Sequence, residues 1–234
     1  MKILAVDTAS KSCSVAIVHN DFLMAEITVA SGHTHSKHLM DMIDTVIRLS
    51  GLSVSDLDGF AVTKGPGSFT GLRIGISSIK GLAAGSGKPV VSVSSLETLA
   101  MQSGQSCRLI CPILDARKGE VYFSRYRLCD GILKREIEEQ VRPPIQAVWD
   151  LDEPCLLIGD GAFFYKELIS KQIGELANFA PPFDNMIRAS TVAHISMVRF
   201  KSENTDDLGE LVPSYIRKSD AELSFRKKQP SFNL

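Results

Sequence analysis

Apolar positions open the chain in three short runs. Residues 2–7, KILAVD, are apolar up to a terminal aspartate, Asp7; after the turn TASKS the run CSVAIVHN alternates, and FLMAEITV follows Asn20 and Asp21. Runs of this length bounded by turn residues predict strands, and three in succession predict an antiparallel meander. The period then changes: Leu39, Met42, Ile43, Val46 and Ile47 recur at i, i+3, i+4, i+7 and i+8, which predicts a helix over 33–50 stopped by Gly51. Strand 60–63 runs into Gly65-Pro66-Gly67, and Ser68 is the expected N-cap of a helix in which Gly71, Gly75, Ser78, Gly81 and Ala84 interleave with Leu72, Ile76, Ile79 and Leu82. Each helical glycine costs about 1 kcal/mol, so this helix must recover stability by close packing, within its own domain or against a partner. Strand 89–94 and a helix over 95–102 complete the order βββαβαβα.

That order is the one found in ribonuclease-H-like domains, and residues 109–128, LICPILDARKGEVYFSRYRL, begin it again. An apolar strand ends in Asp115, a short turn carries lysine, and an alternating strand follows, as around Asp7. An internal repeat of this length predicts an α/β chain of two ribonuclease-H-like domains in tandem, the actin-like arrangement, divided as 1–104 and 105–234. The second copy is irregular, with the proline-rich RPPIQAVWDLDEP where the first has a long helix. Beyond it the sequence predicts a strand at 155–158, a turn at Gly159-Asp160-Gly161, a helix through Ile169 and another over 190–200.

Composition narrows the classes. With 234 residues, 44% hydrophobic and 23% charged, the chain suits a globular fold rather than disorder, and a formal charge of −1 excludes a strongly basic nucleic-acid binder. A local basic tail remains: Arg217, Lys218, Arg226, Lys227 and Lys228 against Asp220 and Glu222. The five cysteines form no CxxC pair, as expected of reduced thiols. No apolar run approaches a membrane span and MKILAVD reads as a strand, so a cytoplasmic protein without membrane contact is expected.

Tandem domains of this kind bring ATP-dependent phosphotransfer to mind first. Phosphate binding after strand one wants a glycine-containing turn, and here the turn is Asp7-Thr8-Ala9-Ser10. The missing glycine makes Asp7 a structural or residual polar end; Asp7, Gly159 and Gly161 are the candidate nucleotide contacts, although a strand-to-helix turn uses such glycines without any ligand. His33, His35 and His38 do not share one helical face, so no metal is expected there. GSGK at 85–88 lacks the upstream glycine of a P-loop and reads as a helix stop, and Ser77 with Lys80 stands without any supporting motif.

On ILAVDTASKSCSVAI, KGPGSFTGLRIGISSIKGLA, KPVVSVSSLETLA, ILDARKGEVYFSRY and VPSYIRK, the chain resembles the TsaB (YeaZ) family over nearly its whole length. The resemblance implies a protein needed to make threonylcarbamoyladenosine in tRNA, with no catalytic residue, metal or resident cofactor beyond a nucleotide at a subunit interface. The catalytic paralogue TsaD holds a metal through His-x-x-x-His, and those ligand positions fall here on Ser95 and Leu99. The implied partners are TsaD, TsaE, tRNA through the complex and, alone, a second copy. The implied partner-binding residues lie on helices 35–49 and 68–85: His38, Met42, Ser68, Leu72, Gly75, Ile76, Ile79 and Leu82. Gly75→Leu or Ile79→Asp is then expected to weaken the heterodimer and leave the fold intact. A small-molecule kinase of the same superfamily is the alternative, and a peptidase-like hydrolase the third class.

Overall fold

A computed structural model describes residues 1–30, 37–104 and 108–217. The first sheet contains β1 (Lys2–Asp7), β2 (Cys13–His19), β3 (Phe22–Val29), β4 (Gly59–Gly65) and β5 (Val90–Ser94), in the order β3-β2-β1-β4-β5. β1 to β3 form the antiparallel meander, while β1, β4 and β5 run parallel. The second sheet contains β6 (Leu109–Arg117), β7 (Glu120–Cys129), β8 (Ile132–Arg142), β9 (Cys155–Ile158) and β10 (Ala177–Phe179), in the order β8-β7-β6-β9-β10. The topology is thus repeated. Asp7 and Asp115 occupy corresponding places, opposite Ser14 and Val121 across the first hairpin of each sheet.

Helices make the two halves inseparable in packing. α1 (Leu39–Leu49) and α2 (Phe69–Ser86) lie on one face of the first sheet, where Met42, Ile43, Val46, Ile76 and Ile79 meet Leu4, Val6, Val15 and Ile17. The other face is covered by α7 (Ala189–Lys201), which comes from the far end of the chain, and α3 (Ser95–Gln102) packs in return on β6 and β7. Val192, Met197, Leu96 and Leu99 therefore share one core with Ile3, Ala5, Ile110 and Tyr126. With both faces covered, β1 is almost continuously apolar, as such strands must be. The outer face of the second sheet carries α4 (Pro144–Val148) and α6 (Lys166–Ile173), and α5 (Asp160–Phe164) packs along β6.

Glu26 fixes the exchanged helix. Its carboxylate accepts from Ser190 N (2.9 Å), Ser190 Oγ (2.8 Å) and Arg188 Nη2 (2.6 Å), so β3 supplies the anion that the N-terminus of α7 favours. Ser14 Oγ accepts from Ala189 N at 3.0 Å beside it.

The predicted elements need four adjustments. α1 starts at Leu39 rather than 33, and the first residues of the predicted span, with His33 and His35, lie outside the described residues. The helix predicted from the Gly159 turn through Ile169 is two helices that meet at Tyr165. β8 went unpredicted because ILKREIEEQVR is mostly polar, which suits a charged edge strand. α4 and the three-residue β10 are too short to carry a period. The Ser68 cap is present, with Gly71 N donating to Ser68 Oγ at 3.3 Å, and Gly87 ends α2 at φ +68, the left-handed stop expected of GSGK.

Candidate functional site

Asp7 and Thr63 meet at the carboxyl ends of β1 and β4. Asp7 is wholly buried; its Oδ1 accepts from Thr63 Oγ1 (2.7 Å) and Ala9 N (3.2 Å), and its Oδ2 has no hydrogen-bond partner among the described residues. Burial pushes its pKa up to about 7, against the opposing pull of the Thr63 and Ala9 hydrogen bonds, and Asp160 adds a smaller upward push. Asp160 is itself raised by burial, while accepting from Asp115 N at 3.0 Å.

This cluster is closed rather than open to a ligand. The Gly65–Ser68 turn is seated on the β1–β2 turn, with Ser68 N donating to Ala9 O at 2.6 Å and Thr8 Oγ1 donating to Gly71 O at 2.8 Å. A Cβ on Gly67 would stand 2.3 Å from Ala9 O. Gly159 and Gly161, candidate nucleotide contacts from sequence, are consumed in the same manner. Gly159 sits at φ +113, where a Cβ would meet Ile113 O at 2.4 Å, and one on Gly161 would meet Leu114 C at 2.7 Å. Their missing side chains admit the backbone of β6.

The last described segment belongs to the same end of the molecule. Ser214 N donates to Lys64 O (2.7 Å), Tyr215 stacks on Phe69 at 4.3 Å, and Arg73 Nε donates to Tyr215 Oη (2.9 Å). Arg217, counted with the basic tail from sequence, instead donates to Ala116 O (2.7 Å) and pairs with Glu120. Lys218, Arg226, Lys227 and Lys228 lie outside the described residues.

The partner-facing prediction for α1 and α2 requires correction in its residues. Met42, Leu72, Gly75, Ile76 and Ile79 are buried against the chain's own first sheet, Ser68 and Leu82 are half-buried, and His38 is exposed. Apolar periodicity finds the face that packs on the nearest sheet, and that is the face it found. A Cβ on Gly75 would stand 2.3 Å from Thr8 Oγ1, so this glycine has an internal use and Gly75→Leu cannot leave the fold intact. Ile79→Asp would put a carboxylate at a fully buried core position and is no cleaner.

The outer face of α2 is different. Ser77, Gly81, Ala84 and Gly85 are exposed, and a Cβ on either Gly81 or Gly85 would meet nothing within 4 Å. Next to it on the same side of the sheet, α1 exposes Met40 and Leu49. Gly81 and Ala84 stood among the small residues noted from the sequence, whereas Ser77, Gly85, Met40 and Leu49 were not read as part of a partner face. The signal was available in the small residues at positions 77, 81, 84 and 85, one step round the helix from the apolar stripe.

Ser95 and Leu99, where a paralogue's metal ligands are expected, are both fully buried. Leu99 is part of the central core and has no ligating atom, and the Ser95 hydroxyl has no hydrogen-bond partner among the described residues, so this pair does not fit a metal. Among the described residues, no group of three or more His, Cys, Asp or Glu side chains could hold one either. No helix among them is long and apolar enough to cross a membrane.

Comparison with known proteins agrees with this architecture. The family model for TsaD, tRNA N6-adenosine threonylcarbamoyltransferase, matches residues 28–225. The tRNA threonylcarbamoyladenosine biosynthesis protein TsaB of Bacillus subtilis (strain 168) is 31% identical over 232 residues, covering 98% of this chain and all of that one. YeaZ from Pseudomonas aeruginosa superposes with a TM-score of 0.79 at 26% identity, over 92% of this chain and 99% of that one. At 12% identity and a TM-score of 0.51, over 87% of this chain and 97% of that one, the activator of the 2-hydroxyisocaproyl-CoA dehydratase from Clostridium difficile shares the fold alone. The repeated sheet order, the full-length likeness and the family match together place the chain: it belongs to the TsaB (YeaZ) family, whose named members are tRNA threonylcarbamoyladenosine biosynthesis proteins, and it has their actin-like fold.

Proposed function

We propose that this chain is a non-catalytic subunit in the synthesis of threonylcarbamoyladenosine in tRNA. It acts as a scaffold for TsaD, works with TsaE, and reaches tRNA through that assembly in the cytoplasm. The observation that carries the reading is the outer face of α2. Gly81 lies within an exposed helix surface and Gly85 near its C-terminal end, both with open space where a side chain would go. Each gives up about 1 kcal/mol of helix stability relative to alanine, with no internal packing in return. Close approach of a second helix gives such positions a use, and the exposed Met40 and Leu49 of α1 add apolar area beside them. In the absence of TsaD, the same face joins two copies of this chain.

The closed Asp7 cluster and the buried Ser95 and Leu99 support a role without chemistry or resident cofactor. The test is the threonylcarbamoyladenosine content of tRNA from cells depleted of this protein, with wild type or Gly81→Leu supplied back, alongside capture of TsaD by each purified form. The nucleoside is expected to vanish on depletion and to return with wild type only, in step with TsaD capture. Persistence of the nucleoside under full depletion would remove the pathway assignment. Full rescue and normal TsaD capture by Gly81→Leu would remove the helix face.

A further inference from the structure

The two halves share one strand order but not one set of covering helices. Over β2 and β3 of the first sheet lies α1, with 11 residues. At the same point in the second half, between β8 and β9, stands α4, with 5 residues. The shorter helix leaves the outer face of β7 and β8 partly uncovered, and a cavity of about 480 Å³ opens there. This is within the range of sites that hold small molecules, roughly 300–1,000 Å³.

Its floor is built from neighbouring cross-strand pairs. Phe123 lies opposite Gln140, Arg125 opposite Ile137, and Arg142 opposite Val121. Gln146, Trp149 and Asp150, on α4 and just beyond it, complete the lining. The Arg125 guanidinium holds Asp150 in a fork, with Nη1 donating at 3.2 Å and Nη2 closer still, and Nη2 also donates to Ala147 O at 3.2 Å. That hydrogen-bonded contact keeps the Asp150 carboxyl below its usual range, so the pair is internally neutral. Arg142 is exposed and has no acidic partner among the described residues; its Nε donates to Gln140 Oε1 at 3.1 Å. What remains for a ligand is one guanidinium, two side-chain amides, an apolar floor of Phe123 and Ile137, and an indole that is 68% exposed.

We propose that this cavity binds a nucleotide. A planar base can stack on the exposed Trp149 indole, above the half-buried Ile137 and the buried Phe123 that close the bottom of the cavity. The Gln146 amide and the Gln140 NH2 match the acceptors and donors of a base edge, and the phosphate meets Arg142, which Gln140 Oε1 holds. A free mononucleotide and an unstacked nucleotide of an RNA strand offer the same chemistry. The site lies on the outer face of the second sheet, whereas α1 and α2 cover the outer face of the first, so occupation of one surface leaves the other open. The proposal does not depend on the partner assignment above.

Trp149 is the sole tryptophan of the chain, so indole emission reports this cavity and nothing else. The full chain is titrated with adenosine 5′-monophosphate and, separately, with a short single-stranded RNA. Arg142→Ala is run beside Lys201→Ala, which removes an exposed cation of α7. The expected result is a saturable change in Trp149 emission with at least one probe, weakened about tenfold or more by Arg142→Ala and unchanged by Lys201→Ala. A response to the mononucleotide identifies a free-nucleotide site, and a response to RNA alone identifies an RNA-borne one. Absence of a saturable response to both probes, or equal affinity with and without the Arg142 guanidinium, overturns the proposal.

Discussion

Replacing Asp7 by asparagine should stabilise the protein increasingly as pH rises, with a slope set by one buried proton. In the folded chain burial raises the Asp7 pKa from 3.8 to about 7, so between these values the folded state keeps a proton that the unfolded state has released. The stability associated with that proton is fully present below pH 3.8 and is lost as pH climbs through about 7. At 1.36 kcal/mol per unit, the loss reaches roughly 4 kcal/mol above pH 7. Asp7→Asn keeps an acceptor for Thr63 Oγ1 and Ala9 N and places a neutral amide where Oδ2 has no partner. An unpartnered amide N–H costs about 1–3 kcal/mol, but that cost does not change with pH. The difference in unfolding free energy, variant minus wild type, should therefore rise by about 1.4 kcal/mol per pH unit between pH 4.5 and 7 and then level off. Urea unfolding at constant ionic strength from pH 4.5 to 8.5 measures it. In thermal melts of a chain this size the same change amounts to about 2–4 °C per kcal/mol. Parallel stability curves for the two proteins across that range would refute the reasoning, because they would mean that Asp7 does not titrate differently in the folded state.

The remaining predictions concern packing and the partner face. Gly81→Ala should raise the stability of the isolated chain by about 1 kcal/mol, since the new methyl meets nothing, whereas Gly75→Ala should lower it because its Cβ falls 2.3 Å from Thr8 Oγ1; thermal melts of the pair decide. Glu26→Ala leaves Ser190 N and the Arg188 guanidinium without their buried acceptor and should cost about 2–3 kcal/mol by urea unfolding, while the conservative Glu26→Gln should recover part of it. Arg73→Ala removes the Tyr215 hydrogen bond and the cation stacked 3.9 Å from the Phe69 ring centroid, and faster proteolysis near Tyr215 with little change in global stability is the expected outcome.

The run of apolar positions sufficed for the first sheet, whose central strand is buried on both faces and reads as one apolar run, and for α2 with its Ser68 cap and α7, which are long enough to show a helical period. Asp7 and Asp115 likewise announced the repeat, since an apolar run ending in aspartate before a short turn that carries lysine occurs twice in the sequence. Period says which residues of a helix are apolar, but not what covers them. Leu72, Ile76 and Ile79 therefore looked like a partner surface until β1 and β4 were seen beneath them, and the true outer face rests on glycines that have no hydrophobic signal at all. The same limit applies to the glycines at 159 and 161, which a phosphate and the β6 backbone could use equally well; only the 2.4 Å approach to Ile113 O distinguishes the two. Nor could any local pattern reveal that α3 and α7 change places between the sheets, or that the short α4 leaves β7 and β8 open around Trp149. Local sequence determines which faces must be buried. Which surfaces bury them is decided by contacts between residues far apart in the chain, and those exist only once the chain has folded.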